Sequence, residues 1–225
     1  MIFPLLNFSE RRRSLFLAYG ILLTVWIFYL IAIALSGILA DFGLPPRVPL
    51  LIVIPAIVGI IVITGRQSFA GVLKRTPRHW PVYLQSFRIV VELLIFGAFI
   101  EGIFPERATF KGLNFDILVG ISAPVIAFLY QHRKLSDKGL LIWNVIAMVI
   151  LSVTVYSFIS TYYFSDYLQT TGNPDFVKLP YLLLAGVLLP VAVFLHVFSL
   201  RQLKVISLPP SAQSGVSGIS KDPLI

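Results

Sequence analysis

Six long apolar segments, separated by loops whose Lys and Arg content alternates, constrain this chain more than any other feature. The hydrocarbon core of a bilayer takes about 20 apolar residues per helix, whereas a membrane β-strand alternates over segments of about 10 residues. The apolar runs here are continuous, so the sequence predicts an all-α polytopic membrane protein, a six-transmembrane-helix bundle. The predicted spans are residues 14–39, 48–64, 83–104, 115–131, 139–161 and 179–203.

The low charge content supports the same class of protein. Only 12% of the residues are charged and 57% are hydrophobic, against about 25% charged residues in soluble domains. The spans take up more than half of the chain, so residues 1–206 are predicted to form a single membrane domain. Residues 207–225 are rich in Pro, Ser and Gly and are predicted to be a disordered cytoplasmic tail.

The positive charges predict the orientation in the membrane. Most of the 18 Lys and Arg residues fall in the terminal segments and alternate loops that one side of the membrane would hold: Arg11, Arg12, Arg13, Arg66, Lys74, Arg75, Arg78, Arg133, Lys134, Lys138, Arg201, Lys204 and Lys221. Because cytoplasmic loops carry the excess of Lys and Arg, the N and C termini are both predicted to be cytoplasmic. The net charge of +8 then reflects topology and contact with membrane lipids, and no nucleic-acid partner is expected.

The largest basic loop, residues 65–81, has a pattern of its own. Phe69, Val72 and Leu73 alternate with basic residues, which is typical of a short helix lying on the inner leaflet. A plain basic loop is the alternative.

The third span contains the sharpest local feature. Gln85, Arg88 and Glu92 are three and four residues apart, so they share one helical face, and Arg88 and Glu92 can form an i,i+4 pair. A charged group at mid-membrane costs about 2.5–3.5 kcal/mol, so this face should point into the bundle. The functional interpretation is a site for a proton, a cation or a polar head group. The structural interpretation is an ion pair that locks helices together.

Other polar residues could extend this site or form a second one. Asn144, in the fifth span, needs several buried partners and could complete the site from a neighbouring helix. His196, in the sixth span, is a further binding candidate. Glu101 and Asp116 are candidates for an outer mouth that receives a charged substrate. In the alternative interpretation, Asn114 and Asp116 only cap the start of the fourth span.

Spans two, four and six each contain one proline near the middle: Pro55, Pro124 and Pro190. Proline offers no N–H to the carbonyl four residues earlier, and in lipid that carbonyl needs another partner. Three kinks at similar depth could open a cavity. The flanks of Pro124 and Pro190 resemble each other, which is typical of repeats in some transporters, with chance similarity among apolar residues as the alternative.

Several segments resemble a family of small, uncharacterised six-span bacterial membrane proteins. They are NFDILVG at 114–120 with the Ala-Pro pair at 123–124, Trp-Asn at 143–144, FLHVFSLRQL at 194–203, and the third span with its Arg and Glu. The resemblance covers roughly the last two-thirds of the chain. It implies the inner (cytoplasmic) membrane of a bacterium, and it brings no activity, cofactor or catalytic residue with it.

Three functions remain open at this point, and the sequence does not decide whether the protein is an enzyme. The leading one is a small-solute or ion transporter with a midplane Arg88–Glu92 site. The second is an intramembrane lipid-handling enzyme or binder, with Glu92, Asn144 and His196 lining a lateral cleft. The third is a structural or assembly subunit, and a homo-oligomer is left open. The chain has no cysteine and no nucleotide, metal or catalytic motif, so no cofactor or metal is expected.

Overall fold

The computed structural model describes residues 3–170 and 172–206, with the side chains of residues 17–67, 69–170 and 172–204. The predicted tail, residues 207–225, lies outside this part. Within it the protein is helical and contains no β-strand. The α-helices are α1 (Phe3–Leu35), α2 (Ile54–Gly65), α3 (Gln67–Arg75), α4 (His79–Leu84), α5 (Phe87–Ile100), α6 (Asp116–Gln131), α7 (Asp137–Phe164), α8 (Tyr167–Thr170) and α9 (Leu189–Ile206).

Four helical segments are long and apolar enough to cross a bilayer, where the sequence analysis predicted six spans. A fifth candidate joins two helical pieces, Pro49–Gly65 and Phe69–Arg75. The chain bends by 78° between them. The predicted fourth span corresponds to α6, which has 16 residues. Its length of about 24 Å is shorter than a hydrocarbon core of about 30 Å. The four long segments are Leu17–Leu35, His79–Ile100, Asp137–Tyr163 and Leu184–Lys204.

The helix α6 is short because the chain before it turns into the bundle. Phe104, Ala108 and Asn114 are all buried in this connection. The helix begins at Asp116, whose backbone N–H donates to Oδ1 of Asn114 at 3.1 Å. Irregular backbone at membrane depth is tolerated only where protein surrounds it, and here the connection packs inside the helices.

The distribution of polarity is the reverse of that in a soluble domain. Large apolar side chains such as Ile21 and Phe28 are 64% and 67% exposed. Arg88, Glu92 and Asn144, in contrast, are each only 1% exposed. An apolar exterior around a polar interior is what the hydrocarbon of a bilayer selects, since exposed polar groups find no water there.

Two stretches of backbone have π-helical geometry, π1 (Pro49–Val53) and π2 (Leu184–Leu188). Each leads into a helix whose second residue is a proline, Pro55 in α2 and Pro190 in α9. Single π-helical turns are rare and concentrate at functional sites. The third mid-span proline, Pro124, lies inside α6 with no such turn before it.

Helix α1 supplies donors to the carbonyls that these two prolines leave without their usual partner. The hydroxyl of Tyr29 donates to the carbonyl of Leu51 at 2.7 Å, four residues before the first proline. Nε1 of Trp26 donates to the carbonyl of Gly186 at 2.8 Å, four residues before the second. Leu30 packs directly over Gly186, where a Cβ atom would come within 2.7 Å of a leucine methyl. Trp26, Tyr29 and Leu30, within little more than one turn of α1, therefore attach it to both proline helices.

At the opposite end, α3 packs on α9. Phe69 and Leu73 are buried, and the ring of Phe69 stacks edge-on against Phe198 at 5.6 Å. Nε2 of Gln202 donates to the carbonyls of Leu73 and Thr76 at 2.9 and 2.7 Å. The loop thus forms the short helix that its pattern indicated, but its apolar face contacts α9 rather than being free to lie on the leaflet.

Substituting Tyr29 with Phe should cost about 1 kcal/mol of unfolding free energy, the range measured for hydrogen bonds between membrane helices. The cost should shrink in a Pro55→Ala background, because the restored N–H of residue 55 can serve the carbonyl of Leu51. A double-mutant cycle measured by unfolding in mixed micelles tests this. Tyr19→Phe is the matched control on α1, since its hydroxyl has no hydrogen bond in the described residues; an equal cost for both tyrosines would contradict the prediction.

Candidate functional site

The site is built around Arg88 on α5, which pairs with Asp116 at the start of α6. Nε of Arg88 donates to Oδ2 of Asp116 at 2.6 Å, and Nη2 donates to Oδ1, so the contact is bidentate. Planar fork-to-fork geometry makes this the strongest type of charged hydrogen bond. The predicted i,i+4 pair of Arg88 with Glu92 is therefore wrong about the partner. Helical spacing made that pair accessible, but the inward turn before α6 brings a second carboxylate closer.

The third nitrogen of the guanidinium determines the protonation state of His196 on α9. Nη1 of Arg88 lies 3.2 Å from Nε2 of His196. A guanidinium can only donate, so Nε2 accepts and the imidazole is neutral. The network then assigns the ring proton to Nδ1, which donates to Oδ1 of Asn144 at 3.0 Å. The amide of Asn144 donates in turn to Ser199 Oγ at 3.1 Å, so Asn144 reaches the site through the histidine.

Glu92 is held by an amide instead of a cation. Nδ2 of Asn114 lies 2.7 and 2.9 Å from the two carboxylate oxygens and 3.0 Å from the carbonyl of Ala108. Oδ1 of the same asparagine accepts from the Asp116 backbone and from the hydroxyl of Thr154 at 2.7 Å. Every polar atom of the Asn114 side chain is used. This residue, expected only as a helix cap, links α5, α6 and α7.

The charged groups form one wall of a cavity of about 110 Å³ between π1, α5, α7 and π2. Its lining includes Arg88, Glu92 and Asp116, and the rest is predominantly apolar or aromatic. None of its lining residues is exposed. The aromatic members are Phe87, Phe104, Phe158, Tyr163, Phe176 and Tyr181.

The charges on this wall do not balance. Arg88 contributes one positive charge, Asp116 and Glu92 contribute one negative charge each when ionised, and His196 is neutral. Within the described residues, Glu92 has no ion pair with Lys or Arg. An ionised Glu92 would thus add an uncompensated negative charge at an apolar cavity, where isolated charge is expensive.

The remaining candidates lie away from the charged wall or make contacts between helices. Nε2 of Gln85 donates to the carbonyl of Ala192 at 3.1 Å, while its Oε1 is buried without a partner in the described part of the chain. Glu101 is exposed at the end of α5. Asp116 is only 5% exposed, so the structure separates it from Glu101 and puts it in the interior rather than at an outer mouth. In residues 3–170 and 172–206, no three His, Asp or Glu side chains are grouped to hold a metal.

Two members of the site, Asn114 and Thr154, are not among the binding residues that the sequence predicts. Thr154 belongs to a buried stripe on α7 at spacings of three and four that also contains Asn144, Ala147 and Leu151. That stripe is visible in the sequence, and it identifies the inward face of α7. The position of Asn114 beside Glu92 has no comparable local pattern, because the two residues belong to different elements.

Comparison with protein-family models, with curated proteins and with solved structures finds no match to this chain. The resemblance to six-span bacterial membrane proteins therefore stays a prediction.

Proposed function

We propose that the protein binds an amphipathic small molecule within the bilayer. The apolar part of the ligand would occupy the cavity, and its polar head would meet the wall formed by Arg88, Asp116 and Glu92. The observation that carries this proposal is the cavity itself, because it joins predominantly apolar walls to one buried charged wall. Ligand sites in proteins have this composition, an apolar pocket with a few convergent polar groups.

The composition of the walls favours a lipid-like ligand over a hydrophilic solute. A water-filled path needs polar lining, whereas Val53, Ile95, Leu151 and Leu188 are typical of the walls here. Such surfaces gain about 25 cal/mol for each Å² of apolar area that a ligand removes from water. The cavity also argues against a purely structural subunit, since that role would favour a tightly packed core.

A carrier that moves the ligand across the membrane is the second candidate, in keeping with a transporter built on Arg88 and Glu92. Two walls of the cavity, π1 and π2, are irregular helical turns followed by prolines. Sharp changes of helix direction concentrate at such turns. Rearrangement at these two points would open or close the space between them.

The proposal includes six membrane crossings with both termini cytoplasmic, in the inner membrane of a bacterium. It is supported by contacts that gather the basic loops at one end of the bundle. Arg78 pairs with Asp137 at 2.8 Å, and Nη1 of Arg201 donates to the carbonyl of Thr64 at 2.6 Å. Positive charge concentrated at one end is expected on the cytoplasmic side. Reporter fusions at the two termini test the orientation.

Blocking the cavity should abolish ligand access without unfolding the protein. In Val155→Trp the indole would project into the cavity, whereas in Val149→Trp it would point away from the bundle, since Val149 is 58% exposed on the same helix. The probe is a single-chain alkyl diazirine with a neutral hydroxyl head, photolysed in nanodiscs. We expect adducts at Ile95 and Leu188 in the native protein and in Val149→Trp, and loss of these adducts by about tenfold in Val155→Trp.

Labelling confined to exposed apolar residues in all three proteins would contradict the proposal. Equal labelling of Ile95 and Leu188 in the two Trp variants would do the same, because it would mean that the probe reaches these residues without entering the cavity.

A further inference from the structure

We infer that the head group of the ligand is a cation that pairs with Glu92. This inference rests on the proposed function and adds the chemical class of the ligand. It follows from the charge on the cavity wall, where two carboxylates face one guanidinium. A bound cation would balance that wall and would leave the ligand's apolar part in the remaining space.

Glu92, and not Asp116, is the carboxylate available to a ligand. Both oxygens of Asp116 are engaged by Arg88 through Nε and Nη2. Among the side chains that the structure describes, only the neutral amide of Asn114 donates to the carboxylate of Glu92. A carboxylate oxygen has two lone pairs, so each oxygen of Glu92 retains accepting capacity toward the cavity that it lines.

The positive charge of Arg88 is already paired with Asp116, which disfavours an anionic head group. Its three nitrogens contact Asp116 and His196. An anion at this wall would therefore approach Glu92 and Asp116 without a free cationic partner, and like charges at close range repel strongly in a medium of low dielectric constant.

The aromatic lining suits the same class of ligand. Phe158, Tyr163 and Tyr181 are among six aromatic residues around the cavity. The faces of aromatic rings attract cations, most strongly where water is excluded, and quaternary ammonium groups are recognised in this way.

A proton is the natural competitor of the cation, because protonation removes the charge of Glu92. The charged or titratable groups around it are Arg88 on its own helix, Asp116 from α6, His196 from α9, and Tyr163 and Tyr181 in the lining. Since Arg88 and Asp116 neutralise each other, Glu92 sets the net charge. Cation binding should therefore weaken as the pH falls, and binding of a neutral analogue should not.

The test uses three alkyl diazirines with the same chain and a trimethylammonium, hydroxyl or sulfonate head. With the full chain in nanodiscs, the trimethylammonium probe should label Ile95 and Leu188 at about tenfold lower concentration than the other two. Glu92→Gln keeps the size of the side chain and one acceptor for Asn114. It should remove the preference for the cation, so that the trimethylammonium and hydroxyl probes label Ile95 and Leu188 at similar concentrations. Glu101→Gln is the matched control, the same change at an exposed carboxylate at the end of α5, and should keep the preference.

The outcomes separate the two proposals. If all three probes label the cavity equally, or if Glu92→Gln keeps the cation preference, the inference is overturned while the proposed function stands. If no probe labels the cavity, both fail. If acidic pH lowers labelling by the trimethylammonium and hydroxyl probes alike, the effect lies in the fold and not in the charge of Glu92, and the inference fails.

Discussion

Arg88→Met should lower the free energy of unfolding by about 3–5 kcal/mol, the cost of leaving a buried charge without its partner. The substitution keeps an unbranched side chain in the space of the guanidinium, but Asp116 then remains 5% exposed with no cation beside it. Nε2 of His196 also loses its donor. We expect the variant to accumulate poorly and to unfold at much lower denaturant in mixed micelles.

The double variant Arg88→Met with Asp116→Asn should recover most of this loss. Removing both charges leaves neutral groups whose burial costs less than that of one unpaired ion. A double variant as unstable as Arg88→Met would mean that the guanidinium acts through packing or through His196, and not through the charge of Asp116.

The matched control is Arg47→Met, which breaks the ion pair of Arg47 with Asp41. The side chains of that pair are 34% and 55% exposed. Exposed pairs contribute about 0–1 kcal/mol, so this variant should remain close to the native stability. A similar loss for Arg47 and Arg88 would contradict the assignment of a special role to the buried pair.

The class of protein and the buried face of α5 could be predicted from the sequence. Continuous apolar runs identify helices that are long and apolar enough to cross a membrane. Gln85, Arg88 and Glu92 are all 1% exposed on the face that their spacing indicated. Helical periodicity and the cost of charge in lipid act along a single element, so one sequence is enough to reveal them.

The partners within the site could not be predicted in the same way. Arg88 meets Asp116 because an irregular connection of about 15 residues turns inward before α6, and no periodic pattern describes that path. The same connection shortens α6 relative to the expected span. Contacts between elements depend on how helices pack, which the local sequence constrains weakly.

The contacts of the two proline helices could be predicted from the sequence only in part. The sequence shows that Pro55 and Pro190 free carbonyls, and that α1 carries two hydrogen-bond donors, Trp26 and Tyr29, three residues apart in an apolar span. Placing these facts together would have suggested that α1 packs on the proline helices. The sequence similarity instead favoured a likeness of Pro124 to Pro190. The two prolines that share π-helical turns and donors from α1 are Pro55 and Pro190.

Asn114→Leu is expected to have the second largest effect, about 3 kcal/mol of unfolding free energy, and to impair labelling of the cavity by the trimethylammonium probe. Leucine has nearly the same volume but leaves Glu92 and the carbonyl of Ala108 without their amide partner. The hydroxyl of Thr154 loses one acceptor and keeps the carbonyl of Ile150 at 3.2 Å. Each buried group left unsatisfied costs about 1–3 kcal/mol. Unfolding in mixed micelles measures the stability, and photolabelling of the folded fraction measures the site.

Asn173→Leu isolates the part of this effect that comes from capping. Oδ1 of Asn173 accepts from the backbone N–H two residues later at 2.9 Å, as Oδ1 of Asn114 does from Asp116. A cap alone is worth about 1 kcal/mol, so Asn173→Leu should cost about a third as much and leave labelling intact. If both variants cost the same, Asn114 is only a cap, and the network that joins Glu92 to α6 and α7 contributes nothing to the stability of the bundle. A larger cost at Asn114 with unchanged labelling would assign the network to folding alone, because Glu92 would then hold its position without its amide partner.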